Sequence, residues 1–359
     1  MDPATLIPSP DTIPVHWIWF QLLLLVTFYI HILLMNIMLG TIIIALVSHV
    51  RKPQPDTALT HHISENLPFS IALAVNFGVA PLLFVQVLYG HFVYASSILM
   101  APLWLSIVGI LIAAYYGAYI YKYSYDKLID GKMLLTGFIS SMLLVIGFLF
   151  CSNFTLMLHP ESWPHYFDHP SGLFINFADP TLIPRYLHFV VSSLAVGGLA
   201  IALFFRKKQL EGDDKAKQWI RHGCNWFGYA TFVNFAIGFW FFGALPKGLI
   251  HPSSFVGALF SLSLLIGIIT AVLAAIHGLR YKIMPAVYLL LTAVFFMILA
   301  REFLRVAYLK PWFSLADLEV ASSYSPLFFF LLFFGAGLLL IGWMLKITWQ
   351  MYHNGEVSR

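Results

Sequence analysis

The sequence predicts an all-α integral membrane protein, a single bundle of about nine transmembrane helices formed by residues 1–359. Hydrophobic residues make up 60% of the chain and charged residues 10%, whereas roughly a quarter of the residues in a soluble protein are charged. The mean hydropathy of the chain is +0.83. A composition this apolar indicates that most of the chain lies in a lipid bilayer.

Nine apolar windows, each bounded by charged residues or prolines, are long enough to form a helix across the bilayer core, which requires about 20 residues. The first window follows the proline-rich start of the chain, and the last ends close to its final residues. In chain order the windows are residues 17–48, 67–95, 101–123, 132–157, 184–206, 223–245, 254–279, 283–304 and 324–349.

Lysine and arginine collect in alternate connections between these windows, and their bias toward the cytoplasm predicts an outer N-terminus and a cytoplasmic C-terminus. The opening segment "MDPATLIPSPDTIPVHW" contains no basic residue, so it is not the charged start of a cleavable signal peptide. The formal net charge of +4 then reflects topology and predicts no nucleic-acid partner. On this orientation 15 of the 20 basic residues are cytoplasmic, namely Arg51, Lys52, Lys122, Lys127, Lys132, Arg206, Lys207, Lys208, Lys215, Lys217, Arg221, Arg280, Lys282, Lys346 and Arg359.

Two connections are longer than the others. Residues 158–184, "LHPESWPHYFDHPSGLFINFADPTLIP", are rich in proline and aromatic residues and carry His159, His165 and His169. This segment is predicted on the outer side and is long enough to lie across the mouth of the bundle, so we expect a lid or a docking surface. The cytoplasmic connection "RKKQLEGDDKAKQWIR" contains charges of both signs and predicts a solvated connector.

Four histidines and one glutamate are predicted in the outer half of the membrane. His31 lies inside the first window, His91, His188 and His251 lie near the ends of three others, and Glu302 lies in the eighth. Ionisable side chains at this depth cost a few kcal/mol on insertion scales, so they tend to face the bundle interior and to have partners. Such a partner is either a polar group on a neighbouring helix or a haem iron, which takes axial imidazole or carboxylate ligands in an apolar pocket.

Three short motifs extend this pattern. In "FQLLLLVTFYIHILLMNIMLG" a histidine is followed nine residues later by glycine, and in "NFADPTLIPRYLHFVVSSLAVGG" an arginine precedes a histidine by three residues. The segment "LAREFLRVAYLKPW" contains a glutamate, an arginine three residues later and a Pro-Trp pair. With nine helices and an outer N-terminus, these motifs resemble the larger subunit of the cytochrome bd quinol oxidases. The matching residues are His31, Gly40, Arg185, His188, Glu302, Arg305, Pro311 and Trp312.

The resemblance implies a role for each of these ionisable residues. His31 would be the axial ligand of one high-spin haem and Glu302 that of a second. His188 would bind the low-spin haem that takes electrons from quinol, while Arg185 and Arg305 would lie beside haem propionates. The cofactors implied are two or three haems b, or a d-type haem at one of the sites, together with quinone as the redox partner.

The sequence departs from the family in the ligands and in the quinol-binding connection. The family has a methionine ligand near the outer end of its seventh helix, but "HPSSFVGALFSLSLLIGIIT" contains none. His251 is the substitute candidate and His91 the second, and either would make a bis-histidine haem of lower reduction potential. The connection before this helix, where the family oxidises quinol, is only "ALPKGLIHPSS". Quinol would therefore bind elsewhere or not at all.

The third window also differs from that of the oxidases. The family carries two glutamates there in a proton path to the oxygen-reducing haem, whereas "APLWLSIVGILIAAYYGAYIYKY" contains no carboxylate. Reduction of O₂ to water consumes protons at a buried site, so a missing titratable relay argues against efficient oxidase chemistry. Electron transfer alone needs no such path.

These observations predict a haem b-binding membrane subunit of a respiratory complex in a prokaryotic inner membrane. It would pass electrons between the quinone pool and an outer-side c-type cytochrome that docks near residues 158–184, as part of a quinol-linked oxidoreductase. Because the chain contains no C-x-x-C-H motif, the c-type haem would belong to a separate chain. Two alternatives stay open: a diverged bd-type terminal quinol oxidase that reduces O₂, and a haemless quinone-binding anchor or transporter.

Overall fold

A computed structural model describes residues 2–51, 57–128, 131–168, 170–321 and 323–356. Lys52, His169 and Arg359 lie outside the described residues. Within them the chain forms nine α-helices, three short 3-10 helices and no β-strand. The α-helices are α1 (Trp17–Arg51), α2 (Thr57–Leu99), α3 (Ala101–Tyr123), α4 (Lys132–Met157), α5 (Leu182–Leu210), α6 (Ala216–Gly243), α7 (Phe255–Leu279), α8 (Ile283–Leu309) and α9 (Ser325–Glu356).

The all-α membrane architecture is confirmed, and eight of the helices in the described ranges are long and apolar enough to cross a membrane. The exception is α6, which has a comparable length but carries Lys217, Arg221 and His222 in its first half. The predicted window, residues 223–245, begins after these residues, and its apolar character is diluted instead by Asn225, Asn234 and its glycines. The orientation of the bundle stays a prediction from the distribution of lysine and arginine.

Helices α1, α5 and α6 touch backbone to backbone through glycines. A Cβ atom on Gly40 of α1 would overlap the Ser193 carbonyl of α5, and one on Gly197 would lie 2.7 Å from the Gly40 carbonyl carbon. On the other side of α5, a Cβ atom on Gly198 would lie 2.7 Å from the Gly223 carbonyl oxygen of α6. In lipid, where burial of apolar surface does not drive helices together, such close approaches between small residues provide the packing energy.

The segment 158–184 lies across one end of the bundle, which we call the loop face. Residues Pro160–Asp168 form a 3-10 helix, and the Trp163 side chain is fully buried with its Nε1 donating to the Leu156 carbonyl at 2.9 Å. The Phe174 N–H donates to the Leu99 carbonyl at 3.1 Å, tying the segment to the end of α2. The described parts of this segment thus pack onto the end of the bundle, and its role as a lid or docking surface stays a prediction.

Helix α9 is peripheral. None of its described side chains is buried, and the Phe330 ring contacts the Phe84 ring of α2 with centroids 6.1 Å apart. An isolated parallel bridge between Ile13 and Val320 holds the segment before α9 at the loop face.

The glycine contacts predict which glycines tolerate a methyl group. We expect Gly197→Ala to lower the free energy of unfolding by about 1–3 kcal/mol, since the added carbon forces α1 and α5 apart. Gly109→Ala is the matched control, because Gly109 lies in α3 with no atom within 4 Å of its added Cβ, and alanine gains up to about 1 kcal/mol of helix propensity. Thermal unfolding in detergent measures both, and equal stability of the two variants would contradict the packing argument.

Candidate functional site

A cavity of about 370 Å³ lies inside the bundle among α1, α4, α5, α6, α7 and α8. We call it the central cavity. Its wall consists mainly of phenylalanine, leucine, isoleucine and alanine side chains, and its polar groups are His188, Asn36, Asn234, Ser192, Thr231 and three arginines. A largely apolar wall with a few convergent polar groups is typical of a cofactor or small-molecule site.

His188 supplies the imidazole of the central cavity. It lies near the loop-face end of α5, opposite Gly238 of α6, where an added Cβ would be 3.4 Å from the imidazole Cε1. The ring lies close to the Asn234 backbone, but Nδ1 makes no hydrogen bond of regular geometry with a described residue. The Ser192 hydroxyl donates to the His188 carbonyl at 2.7 Å, and Asn234 Nδ2 donates to Ser192 Oγ at 2.8 Å. The His188 residue lines the apolar central cavity, and a neutral imidazole in such a wall is suited to bind iron.

Three arginines line the same cavity with different partners. Arg305 Nη1 donates to Glu302 Oε1 at 2.8 Å, so its charge is balanced. Arg185 Nη2 contacts Thr181 Oγ1 at 3.4 Å while its Nε is buried without a hydrogen bond. Arg301 lies over the Phe28 ring, 4.5 Å from its centroid.

Among the described residues, neither Arg185 nor Arg301 has a carboxylate within 4 Å. Two guanidinium groups without acidic partners at membrane depth are costly unless an anion joins them. The sequence analysis did not select Arg301, although its spacing of four residues from Arg305 places both on one helix face.

Glu302 is buried, with 6% of its surface exposed, and pairs with Arg305 three residues along α8. It is not among the residues that line the central cavity, although Arg301, Leu304 and Arg305 are. Its predicted role as an axial ligand stays a prediction. In the structure its carboxylate has a partner from its own helix.

His31 faces α2. Its Nδ1 is 2.9 Å from the Ala74 carbonyl oxygen, which only accepts, so Nδ1 donates and the lone pair of the neutral ring is on Nε2. A Cβ atom on Gly78 would lie 2.8 Å from His31 Cε1, so glycine makes room for the ring. A ring nitrogen bonded to a backbone carbonyl is also how proteins orient metal-binding histidines. His31 does not line the central cavity, whereas Phe28 and Ile32 do.

The roles of His91 and His251 as second axial ligand stay predictions. His91 is buried between Phe92 and Phe313, and its Nε2 has no hydrogen-bond partner among the residues that the structure describes. His251 is exposed in the connection between α6 and α7. Neither lines the central cavity.

Two methionines line the central cavity and were missed by the sequence analysis, which considered a sulfur ligand only on the seventh helix. Met157 ends α4, and Met297 of α8 packs against Gly267 of α7, where an added Cβ would be 2.9 Å from the Met297 methyl carbon. Their thioethers are possible haem ligands, but no sequence spacing relates them to His188.

The residues of the central cavity fit a haem. For such a group His188 would provide a ligand nitrogen, the phenylalanine-rich wall would suit the porphyrin, and Arg185 and Arg301 would face its propionates. Neither the protein-family models nor the curated proteins contain a match to the chain. The similarity to the bd oxidases therefore stays a prediction from three motifs.

Proposed function

We propose that this chain is a haem b-binding membrane subunit that passes electrons between the quinone pool and an electron carrier on its outer side. The observation that carries the proposal is the His188 imidazole in an apolar cavity that it shares with Arg185 and Arg301, which have no carboxylate within 4 Å among the described residues. When bound there, haem supplies a one-electron redox centre. A c-type cytochrome in a separate chain, docking near residues 158–184, is the carrier we favour.

Different residues of the chain would bind different parts of the haem. His188 supplies the nitrogen ligand, and its α5 backbone is held by the hydrogen bonds of Ser192 and Asn234. Arg185 and Arg301 neutralise two carboxylates, which allows an anionic group to leave water at modest cost. The apolar wall excludes water and so limits side reactions.

Electron transfer is favoured over O₂ reduction by the composition of α3. Ser106 of this helix donates to the Leu103 carbonyl at 2.7 Å, and Ala114 is fully buried. No carboxylate lies between Ala101 and Tyr123, so α3 has no group that relays protons through the membrane in the manner of an oxidase.

A haemless quinone-binding anchor or transporter is the second candidate. It is favoured by His31 and Glu302, which already have partners within the bundle at Ala74 and Arg305. A hydrogen-bonded histidine and a buried ion pair need no metal to explain their presence.

Replacing His188 separates these two candidates. We expect wild-type protein to contain b-type haem, and His188→Ala to lose about one haem per chain with a change in the reduced-minus-oxidised spectrum. His277→Ala is the control, because that imidazole is at the other end of the bundle and bonds the Leu273 carbonyl. A pyridine haemochrome assay gives the count. Wild-type protein without haem would contradict the proposal and leave the anchor as the account to test.

Two variants test which residue is the second axial ligand of the haem bound by His188. We expect Met297→Leu to shift the low-spin spectrum and lower the reduction potential, since Met297 lines the cavity and a methionine ligand raises the potential. His251→Ala should leave both unchanged, because His251 is exposed and outside the cavity. The reverse result would instead support the bis-histidine haem predicted from the sequence.

Arg301 should tune the potential of the bound group. We expect Arg301→Gln to lower the midpoint potential by tens of millivolts, because a nearby positive charge destabilises the oxidised, more positive iron; about 59 mV corresponds to a tenfold change for a one-electron couple. Lys247→Gln removes an exposed charge of the same sign and should cause a much smaller change. Equal potentials in wild type and Arg301→Gln, measured by redox titration, would place the haem away from this side chain.

A further inference from the structure

A cluster of basic and aromatic side chains lies at the end of the bundle opposite the loop face. It surrounds the adjacent rings of Phe204 and Phe205 near the end of α5, whose centroids are 5.3 Å apart. We call it the basic aromatic cluster, and it shares no residue with the central cavity. Its members come from α2, α5 and α6 and are His62, Phe204, Phe205, Lys208, Trp219, His222 and Trp226.

Two basic groups of the cluster contact the Phe204 ring. The His62 imidazole of α2 stacks on this ring, with centroids 3.4 Å apart and planes inclined by 15°. Lys208 Nζ lies 5.2 Å from the centroid of the Phe204 ring and 5.6 Å from that of Phe205, within the range at which an aromatic face attracts a cation. The two rings therefore bring an ammonium group and an imidazole from different helices to one place.

Helix α6 contributes the other side of the cluster. The Trp219 ring lies 5.9 Å from the Phe205 ring and 5.9 Å from the His222 ring. Trp226 Nε1 donates to His222 Nε2 at 3.1 Å. Spacings of three and four residues place these three side chains on one face of α6. Arg51, the last residue of α1, interacts electrostatically with the His222 imidazole and adds a second permanent positive charge.

The hydrogen bonds of the two histidines leave each of them with one N–H donor. Asn66 Nδ2 is 3.1 Å from His62 Nδ1 and donates to the His62 carbonyl at 2.9 Å, so the neutral His62 ring accepts at Nδ1 and has its proton on Nε2. The indole N–H of Trp226 only donates, so His222 accepts at Nε2 and has its proton on Nδ1. With the Lys208 ammonium, the cluster offers three donor groups and no acidic side chain.

The acidic residues that follow the cluster in α2 and α5 have other partners. Glu65 lies 3.8 Å from His61 Nδ1, and both side chains are largely exposed. Glu211 lies 4.0 Å from Lys207 Nζ, again at an exposed position. Among the described residues, Lys208 has no carboxylate within 4 Å. An unbalanced cation beside N–H donors is complementary to an anion with several oxygen acceptors.

The cluster lies where α5 leaves the apolar part of the bundle. The apolar run of α5 ends at Phe205 and is followed by three basic residues, 206–208, and Trp219 contacts Phe205 at this point. Tryptophan collects at the boundary between lipid and water, and the bias of lysine and arginine predicts that this end is cytoplasmic. Basic pockets between transmembrane helices on that side bind the phosphate head groups of anionic lipids.

An exposed apolar strip continues from the cluster along α6. Tyr229 and Val233 follow Trp226 at spacings of three and four residues, so they share a helix face with Trp219 and His222. Tyr229 leaves 65% of its surface exposed and Val233 leaves 54%. Such a strip suits an acyl chain and contributes nothing to the binding of a free phosphate ion. It therefore favours a lipid as the source of the phosphate group.

We propose that the basic aromatic cluster binds the phosphate head group of an anionic phospholipid. The phosphate oxygens accept from the Lys208 ammonium and from the N–H groups of His62 and His222, and the charge of Arg51 adds to the attraction. The acyl chains lie along the exposed strip of α6. The inference goes beyond the proposed function and needs neither haem nor electron transfer, so the two are tested independently.

Two pairs of neighbouring residues provide matched variants of the purified full-length chain. Lys208→Gln and His62→Gln remove donors of the cluster, whereas Lys207→Gln and His61→Gln remove the same groups from side chains that are 73% and 44% exposed. Native mass spectrometry of delipidated protein in detergent measures binding of dioleoylphosphatidylglycerol and, as the zwitterionic control, dioleoylphosphatidylcholine. Inorganic phosphate is then added as a competitor. Thermal unfolding shows whether each variant is folded.

We expect wild-type protein to bind phosphatidylglycerol about tenfold more tightly than phosphatidylcholine, and Lys208→Gln to bind it about fivefold more weakly than wild type, the effect of one basic residue at an anionic surface. His62→Gln should also bind it more weakly, while both controls match wild type and millimolar phosphate leaves the lipid bound. Equal affinity of all four variants would overturn the inference. Displacement of the lipid by phosphate would overturn its lipid assignment. Neither result depends on the haem content, which the pyridine haemochrome assay decides.

Discussion

The contact of α5 with α1 on one side and α6 on the other is the constraint on which the rest of the structure depends. Gly197 and Gly198 are adjacent in α5 and face Gly40 and Gly223 respectively, so α5 is held between two backbones at distances that only glycine permits. Lipid provides no hydrophobic force between helices. The position of His188 against α6, and hence the central cavity, follows from these two contacts.

Charge divides the loop-face half of the bundle into two chemically different compartments. The central cavity has an excess of positive charge, because Glu302 balances only one of its arginines. The segment 158–184 instead carries two carboxylates, Asp179 and Glu161, on either side of the His159 imidazole. The two regions therefore differ in the charge that a bound group would meet.

Apolar length alone predicts most of the fold, and the bounds of α3 and α4 coincide with their windows. Apolar length does not predict the end of a helix that polar residues extend beyond the bilayer. Helix α2, for example, begins at Thr57, ten residues before its window. For the site, a three-residue spacing predicts that Arg185 and His188 share a face of α5, and both line the central cavity. Arg301 could have been selected from its four-residue spacing to Arg305. Met297 could not be selected as a ligand, because its position relative to His188 is determined by the packing of several helices and not by a local pattern.

Helix α9 shows that a helix can be apolar enough for the bilayer without packing into the core of the bundle. None of its described side chains is buried, so its residence in the bilayer depends on its hydropathy and not on the shapes of its side chains. In such a helix the overall hydropathy matters more than the order of the residues. Exchanging two of its apolar residues leaves the packing of the bundle nearly unchanged, whereas one charged residue at its centre costs a few kcal/mol of insertion free energy. Among distant relatives, α9 would therefore drift fastest in sequence and carry the least information about ancestry.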